Sequence, residues 1–167
     1  MDDTISPQAQ ARGLMVNAGR AYLGTLAERP APAGEPAVFP FVTLVLPALD
    51  EGGRPLLLLS DLSDHARNLR RDPQASLLFD GTAGQAEPLT GPRLTLIGRV
   101  SLADDADTRG RYVTAQPSAR SYIGFGDFHL YRFEIAEGLL VAGFGRIHRI
   151  AGDKIAFVKV IQDTYDE

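Results

Sequence analysis

The chain contains no cysteine and no tryptophan, and only three histidines. Without thiols there can be no disulfides, no thiolate nucleophile and no Cys-ligated zinc or iron–sulfur centre. His65, His129 and His148 lie far apart, and none has a ligand-type partner at i, i+4, so no protein-ligated metal site is expected. Positive charge is also short: 17 Lys and Arg against 21 Asp and Glu, a net charge of −4. A nucleic-acid binder usually carries a basic stripe, so nucleic acid is not an expected partner. No apolar run reaches the roughly 18–20 residues of a membrane span, and no charged-then-apolar leader opens the chain. The expectation is a cytoplasmic protein without a membrane partner. G-x-G-x-x-G, Walker and G-x-S-x-G motifs are missing as well; "GFGRIH" lacks the third glycine and follows a strand pattern.

What is present fits one domain over residues 1–167, long enough for a proper core. Ser6-Pro7 is an N-cap followed by proline at the first helical position. Ala11, Leu14, Met15 and Ala18 recur at helical spacing, which predicts a helix over 7–18 closed by Gly19. Residues 21–27 read as a strand and 28–37 as a Pro/Gly loop. The β-rich run 41–49, the turn 50–53 and the strand 55–60 predict a hairpin apolar on nearly every position, with both faces covered. Ser63 caps a helix over 64–71 that Pro73 stops, and a strand follows at 75–79. The loop 80–92 is long enough to mark a functional edge. A strand over 93–102 leads to an Asp-capped helix over 104–116, then one further helical turn over 118–123. Strands 128–135 and 138–144 predict a second hairpin about the tight turn "AEG", and "IAFVKVI" in the tail predicts a last strand. Many short strands, hairpin links and few helices describe a β-barrel with peripheral helices.

Three stretches carry chemistry. "LLLLSDLSDHARNLRRDP" runs from a buried strand into a helix start with Ser60, His65, Arg67 and Asn68 around it. Unpaired N–H groups and the helix dipole suit an anion there, and Arg67 offers a charge-assisted fork. The alternative is a solvated basic face. In "GFGRIHR" two glycines permit close backbone approach to a flat ligand, Phe144 offers a stacking ring, and Arg146 and His148 share one side of an extended segment. A strand end with an exposed arginine is the plain alternative. In "FGDFHLYR" Asp127 is either a turn aspartate or a buried acceptor, and His129 and Tyr131 share a strand face.

Five segments carry a resemblance over about residues 12–150: "RGLMVNAGRAYLGTLA", "FVTLVLPALDEGGRPLLLLSDLSDHARNLRRDPQASLLF", "PRLTLIGRVSL", "RYVTAQPSARSYIGFGDFHLYRFEI" and "LLVAGFGRI". In this order the chain resembles the FMN-binding split β-barrel family related to pyridoxamine 5′-phosphate oxidase, and within it the HugZ-type heme-utilisation branch. The resemblance implies an α+β, mostly β class: an antiparallel split β-barrel with peripheral helices, forming a homodimer with FMN at the subunit interface. It puts the phosphate on Ser60, His65, Arg67 and Asn68, and the flavin ring along Val42, Thr43 and Leu44. Arg93 and Leu94 then approach the ring edge, and Phe144 and Arg146 come from the partner. The implied activity is flavoprotein oxidoreduction of a small molecule, with Arg146 and His148 as candidates to orient an anionic substrate. Heme binding or degradation is the alternative, and a non-enzymatic flavin carrier or ligand sensor a third. Pro47 stands where the oxidase carries lysine, and the oxidase's tryptophan-bearing segment is absent, so vitamin B6 oxidation is not expected. The branch's C-terminal heme-ligating histidine has no counterpart, because no histidine follows His148. Asp127 matches an acidic position of that branch.

Overall fold

Proline placement and one bulge decide where the strands run. The computed structural model describes residues 5–32 and 34–156. Ser6 Oγ accepts from the Ala9 N–H at 3.2 Å, and helix α1 (Pro7–Asn17) starts as predicted. It closes on an extended Ala18 rather than on Gly19, which has no left-handed φ. Strands β1 (Ala21–Pro30) and β2 (Pro36–Val45) pair antiparallel from Ala21↔Val45 to Pro30↔Pro36. The predicted loop 28–37 is thus mostly hairpin.

The single strand expected over 41–49 is two strands. β2 ends at Val45, and β3 (Pro47–Leu49) pairs instead with β4 (Pro55–Ser60). Pro47 has no N–H to give a ladder, so it opens a strand but cannot continue one. The turn between β3 and β4 is held by Asp50, whose Oδ1 accepts from the Gly52 and Arg54 N–H groups, both at 2.9 Å. Helix α2 (Asp64–Arg71) is capped by Ser63, whose Oγ accepts from Ala66 N at 3.3 Å. Strands β5 (Gln74–Asp80) and β6 (Arg93–Leu102) follow, then helix α3 (Ala106–Ala115) on its Asp105 cap and a short 3-10 turn over Pro117–Ser121.

The second expected hairpin is one long strand, β7 (Phe128–Val141). "AEG" does not turn. Ile97 pairs with Glu137 and Gly98 with Ile135, so Ala136 is an unpaired bulge residue that bends the strand. The chain reverses later, at "GFGR", into β8 (Ile147–Ala151). Ile155 and Ala156 close helix α4 (Gly152–Ala156) instead of opening a strand. The rest of the predicted tail strand lies outside the described residues.

All eight strands form one sheet, in the order β2-β1-β5-β6-β7-β4-β3, with β8 on β7. One edge of β7 pairs with β6; the other is shared by β4 at the start and β8 at the end. The outermost strands, β2 and β3, are consecutive in the chain with Leu46 alone between them. One residue therefore carries the backbone from one sheet edge to the other, and this curls the sheet into a barrel. Leu23, Leu57, Leu77, Phe79, Leu96 and Phe133 fill it, fully buried, each contributing roughly 1.5–3 kcal/mol. A second cluster packs α3 on the outside of β3 and β4, where the buried Tyr112 hydroxyl donates to Leu46 O at 2.7 Å. Among the described residues no helix is long and apolar enough to cross a membrane.

Candidate functional site

The junction between β4 and α2 is built from short side chains that answer the backbone. Ser60 ends β4, and its hydroxyl donates to Asp127 Oδ2 at 2.5 Å while accepting from Leu62 N at 3.2 Å. Asp61 N donates to Asp127 O at 2.7 Å, and Ser63 Oγ to Ser60 O at 2.6 Å. Asp127 is therefore the acceptor that fixes Ser60, not a free turn aspartate.

His65 lies half-buried in the first turn of α2, and its Nδ1 is 2.9 Å from Thr43 Oγ1 on β2. Burial pushes the imidazole below its usual value, with Asp64 pulling weakly the other way, so the neutral ring is favoured. A neutral ring has one donor and one acceptor nitrogen. When Nδ1–H donates to Thr43, Nε2 presents its lone pair, and Nε2 has no hydrogen-bond partner among the described residues. Three residues before His65 in the chain Leu62 is exposed, and Arg67 and Arg29 are both drawn toward the adjacent Asp64, at 2.7 Å and 3.6 Å. Arg29 also lies over the ring of Phe41, two residues before Thr43 on β2.

Other positions named from the sequence are differently employed. Arg67 Nη1 donates to Leu62 O at 2.9 Å and Nη2 to Asp64, whose carboxyl that contact holds below the usual range. Asn68 turns away from the junction; it is buried and donates to Thr25 Oγ1 at 3.0 Å. Leu94 is a fully buried core side chain whose backbone is paired to Phe79 and Leu140. Arg93 secures the preceding loop by donating to Leu89 O and Gly91 O. Val42 and Leu44 point outward from β2, opposite to Thr43.

The "GFGR" turn needs both its glycines: Gly143 has φ 138° and Gly145 φ 74°, and the Arg146 guanidinium lies over Gly143 and donates to Ala142 O at 2.8 Å. Phe144, 89% exposed, forms the tip. Arg146 sits in the turn and β8 begins only at Ile147, so Arg146 and His148 are not same-side neighbours on a strand. The turn and the β4–α2 junction stand beyond opposite ends of β7. Ser60 pairs with Phe128 at the start of β7, whereas the turn follows Val141 at its end.

Two features escaped the sequence. The outer face of β2, β1, β5 and β6 carries a groove of about 660 Å³ with small residues Gly24, Ser76, Gly98 and Ala136 among its lining. Val42 and Ile97 border it, and Arg99 has no ion-pair partner among the described residues. The second is His129, whose two ring nitrogens each face a carboxylate: Nδ1 to Asp104 Oδ2 at 2.9 Å, Nε2 to Asp61 Oδ2 at 3.2 Å. The sequence offers Asp104 only as a helix cap and His129 only as a strand residue; their meeting with Asp61 is hidden because 43 residues and two strands separate the two aspartates.

The chain matches the CREG β-barrel family over residues 5–158. It is 30% identical over 138 residues to the heme oxygenase HutZ of Vibrio cholerae, an alignment spanning 68% of this chain and 76% of HutZ. It is 37% identical over 99 residues to the chloroplastic heme oxygenase HOZ of Arabidopsis thaliana, spanning 58% of this chain and only 30% of HOZ. A heme binding protein from Mycobacterium smegmatis superposes with a TM-score of 0.78 at 27% identity, over 91% of this chain and 60% of that one. A pyridoxinephosphate oxidase family protein from Clostridium acetobutylicum shares the fold, with a TM-score of 0.61 at 14% identity.

Proposed function

The chain belongs to the CREG-type β-barrel family, a split barrel, and from that premise we propose that it binds heme and degrades it. The observation that carries this reading is the 30% identity to HutZ across most of both chains. The local chemistry fits. Heme wants an imidazole lone pair for its iron, apolar contact for its ring and cations for its carboxylates. His65 supplies a neutral imidazole with Nε2 unengaged, Phe41 on the same strand as Thr43 supplies apolar surface, and Arg29, over the Phe41 ring and 3.6 Å from Asp64, supplies a cation. His129 is less suited to the iron than His65, since both its nitrogens face carboxylates. Bound heme supplies redox chemistry at its iron. The chain's own part is to hold the His65 ring by Thr43 and to orient the acidic edge with the Arg29 guanidinium.

FMN, the cofactor that the resemblance implies, meets a less suitable junction. The Asp64 carboxylate occupies the first turn of α2, where a phosphate would rest, and Arg67 is turned onto it. A homodimer is part of the proposal. Val42, Leu44 and Ile97 are 66%, 57% and 49% exposed on one outward face. His65 and the Phe144 tip also lie beyond opposite ends of β7, so in this reading a second copy brings the two together.

Titrating the full chain with hemin tests the reading. A new Soret band with a saturable endpoint is expected. His65→Ala should shift or abolish it, while His148→Ala should leave it. A visible spectrum that stays the plain sum of protein and hemin would sink the heme reading, and saturable quenching of FMN fluorescence would put flavin in its place.

A further inference from the structure

His129 stands on β7 opposite Leu59 and reaches two links that are far apart in the chain. Asp61 lies between β4 and α2; Asp104 lies between β6 and α3. Nδ1 makes a hydrogen bond to Asp104, while Nε2 and Asp61 stand at ion-pair distance, 3.2 Å, a contact that attracts only when the ring is an imidazolium. The two arms are unequal. Asp104 is 15% exposed and takes Arg109 through Nε at 2.6 Å and Nη2 at 2.9 Å, plus the Leu130 N–H at 3.3 Å. Arg109 is itself tied to Ile123 O and Phe128 O. Burial works to raise the Asp104 carboxyl, but hydrogen bonds from Arg109 and His129 outweigh it and hold the group ionised. Asp61 is 38% exposed and has one further charged partner, Arg70, on α2, with Nη1 at 2.7 Å. Tyr131, two residues on along β7, has its hydroxyl pushed up by burial and by Asp61, so it adds no charge. Asp127 is taken by Ser60.

We propose that His129 is a proton-dependent clasp and the positioning residue of the candidate site. Doubly protonated, it pins the turn Asp61–Ser63 to the rigid β6–α3 link and so fixes the first turn of α2, where His65 sits. Singly protonated, it keeps Nδ1–H on the better-held Asp104 and turns a bare Nε2 lone pair on Asp61. Two acceptors then face each other at 3.2 Å, and the exposed arm lets go. The clasp acts on the site as read above, yet its first test needs no ligand.

That test is amide exchange across residues 60–66 of the full chain between pH 5.5 and 8.5, corrected for intrinsic rates. Nitrogen spectra of the His129 ring are recorded alongside. Protection should fall roughly two- to fivefold, the worth of one partly exposed ion pair, with the midpoint of the ring's own proton loss. His129→Gln has one donor group and one acceptor, so it should show low protection at every pH and no step. Asp61→Asn leaves the Asp104 arm intact and should also flatten the profile. A wild-type profile without a step, or a step surviving in both variants, overturns the clasp. Hemin release followed over the same range should quicken above the midpoint. Absence of hemin binding at every pH would strike the heme reading alone, since the exchange result decides the clasp by itself.

Discussion

His65 shows how one side chain couples acidity to the fold. Its imidazole is held below the ordinary value of 6.5 by burial, so the unfolded chain takes a proton more readily than the folded one. The stability this contributes is complete above 6.5 and is lost as the pH falls through the depressed value. The urea midpoint of the wild type should therefore drop between pH 7.5 and 5 by more than that of His65→Gln; parallel curves would show that the ring is not buried in solution. At this scale the sequence is readable where a group acts within a few residues. Ser6, Ser63 and Asp105 cap their helices as their neighbours predict, because an N-cap reaches only three residues ahead. It is unreadable where the partner is distant: Thr43 and His65 are 22 residues apart, and nothing local announces their bond.

Elements depend on backbone approaches that a methyl group would block. A Cβ on Gly98 would lie 2.0 Å from Glu134 O, beside the β7 bulge, where neither strand can retreat without breaking its ladder. Gly98→Ala should cost about 1–3 kcal/mol in chemical denaturation. Gly13, inside α1, has nothing within 4 Å of its missing Cβ, so Gly13→Ala should gain up to about 1 kcal/mol. Equal effects from the two would refute the packing argument. The same bulge explains a misreading. Glycine marks turns and bulges alike, and "AEG" between two alternating runs satisfies both descriptions. Pro47 left the opposite trace: the run 41–49 looks continuous because the proline falls at the first residue of β3, where it costs no hydrogen bond.

At the scale of the molecule, the class and the barrel were legible because strand number, short links and doubly apolar strands survive errors in individual boundaries. The candidate site was legible as a place, the β4–α2 junction, but not as an arrangement. Arg67 and Asn68 have the right chemistry for an anion and are spent on Asp64 and Thr25, which only the folded register reveals. The outward face of β2 makes the last prediction. Sedimentation of the wild type should give a dimer, and Val42→Lys, which puts a charge on that face, should shift it toward monomer by roughly tenfold or more; a monomeric wild type would dismiss the second copy. Leu46 bears on how such a barrel could gape. As the lone residue spanning from β2 to β3, it acts as the sewn end of a seam, so the slit cannot part there without ripping one ladder or the other. Away from that stitch the β1–β2 hairpin is tethered sideways to α2, by Asn68 on Thr25, His65 on Thr43 and Arg71 on Leu26 O, so an opening slit would strain those three threads first.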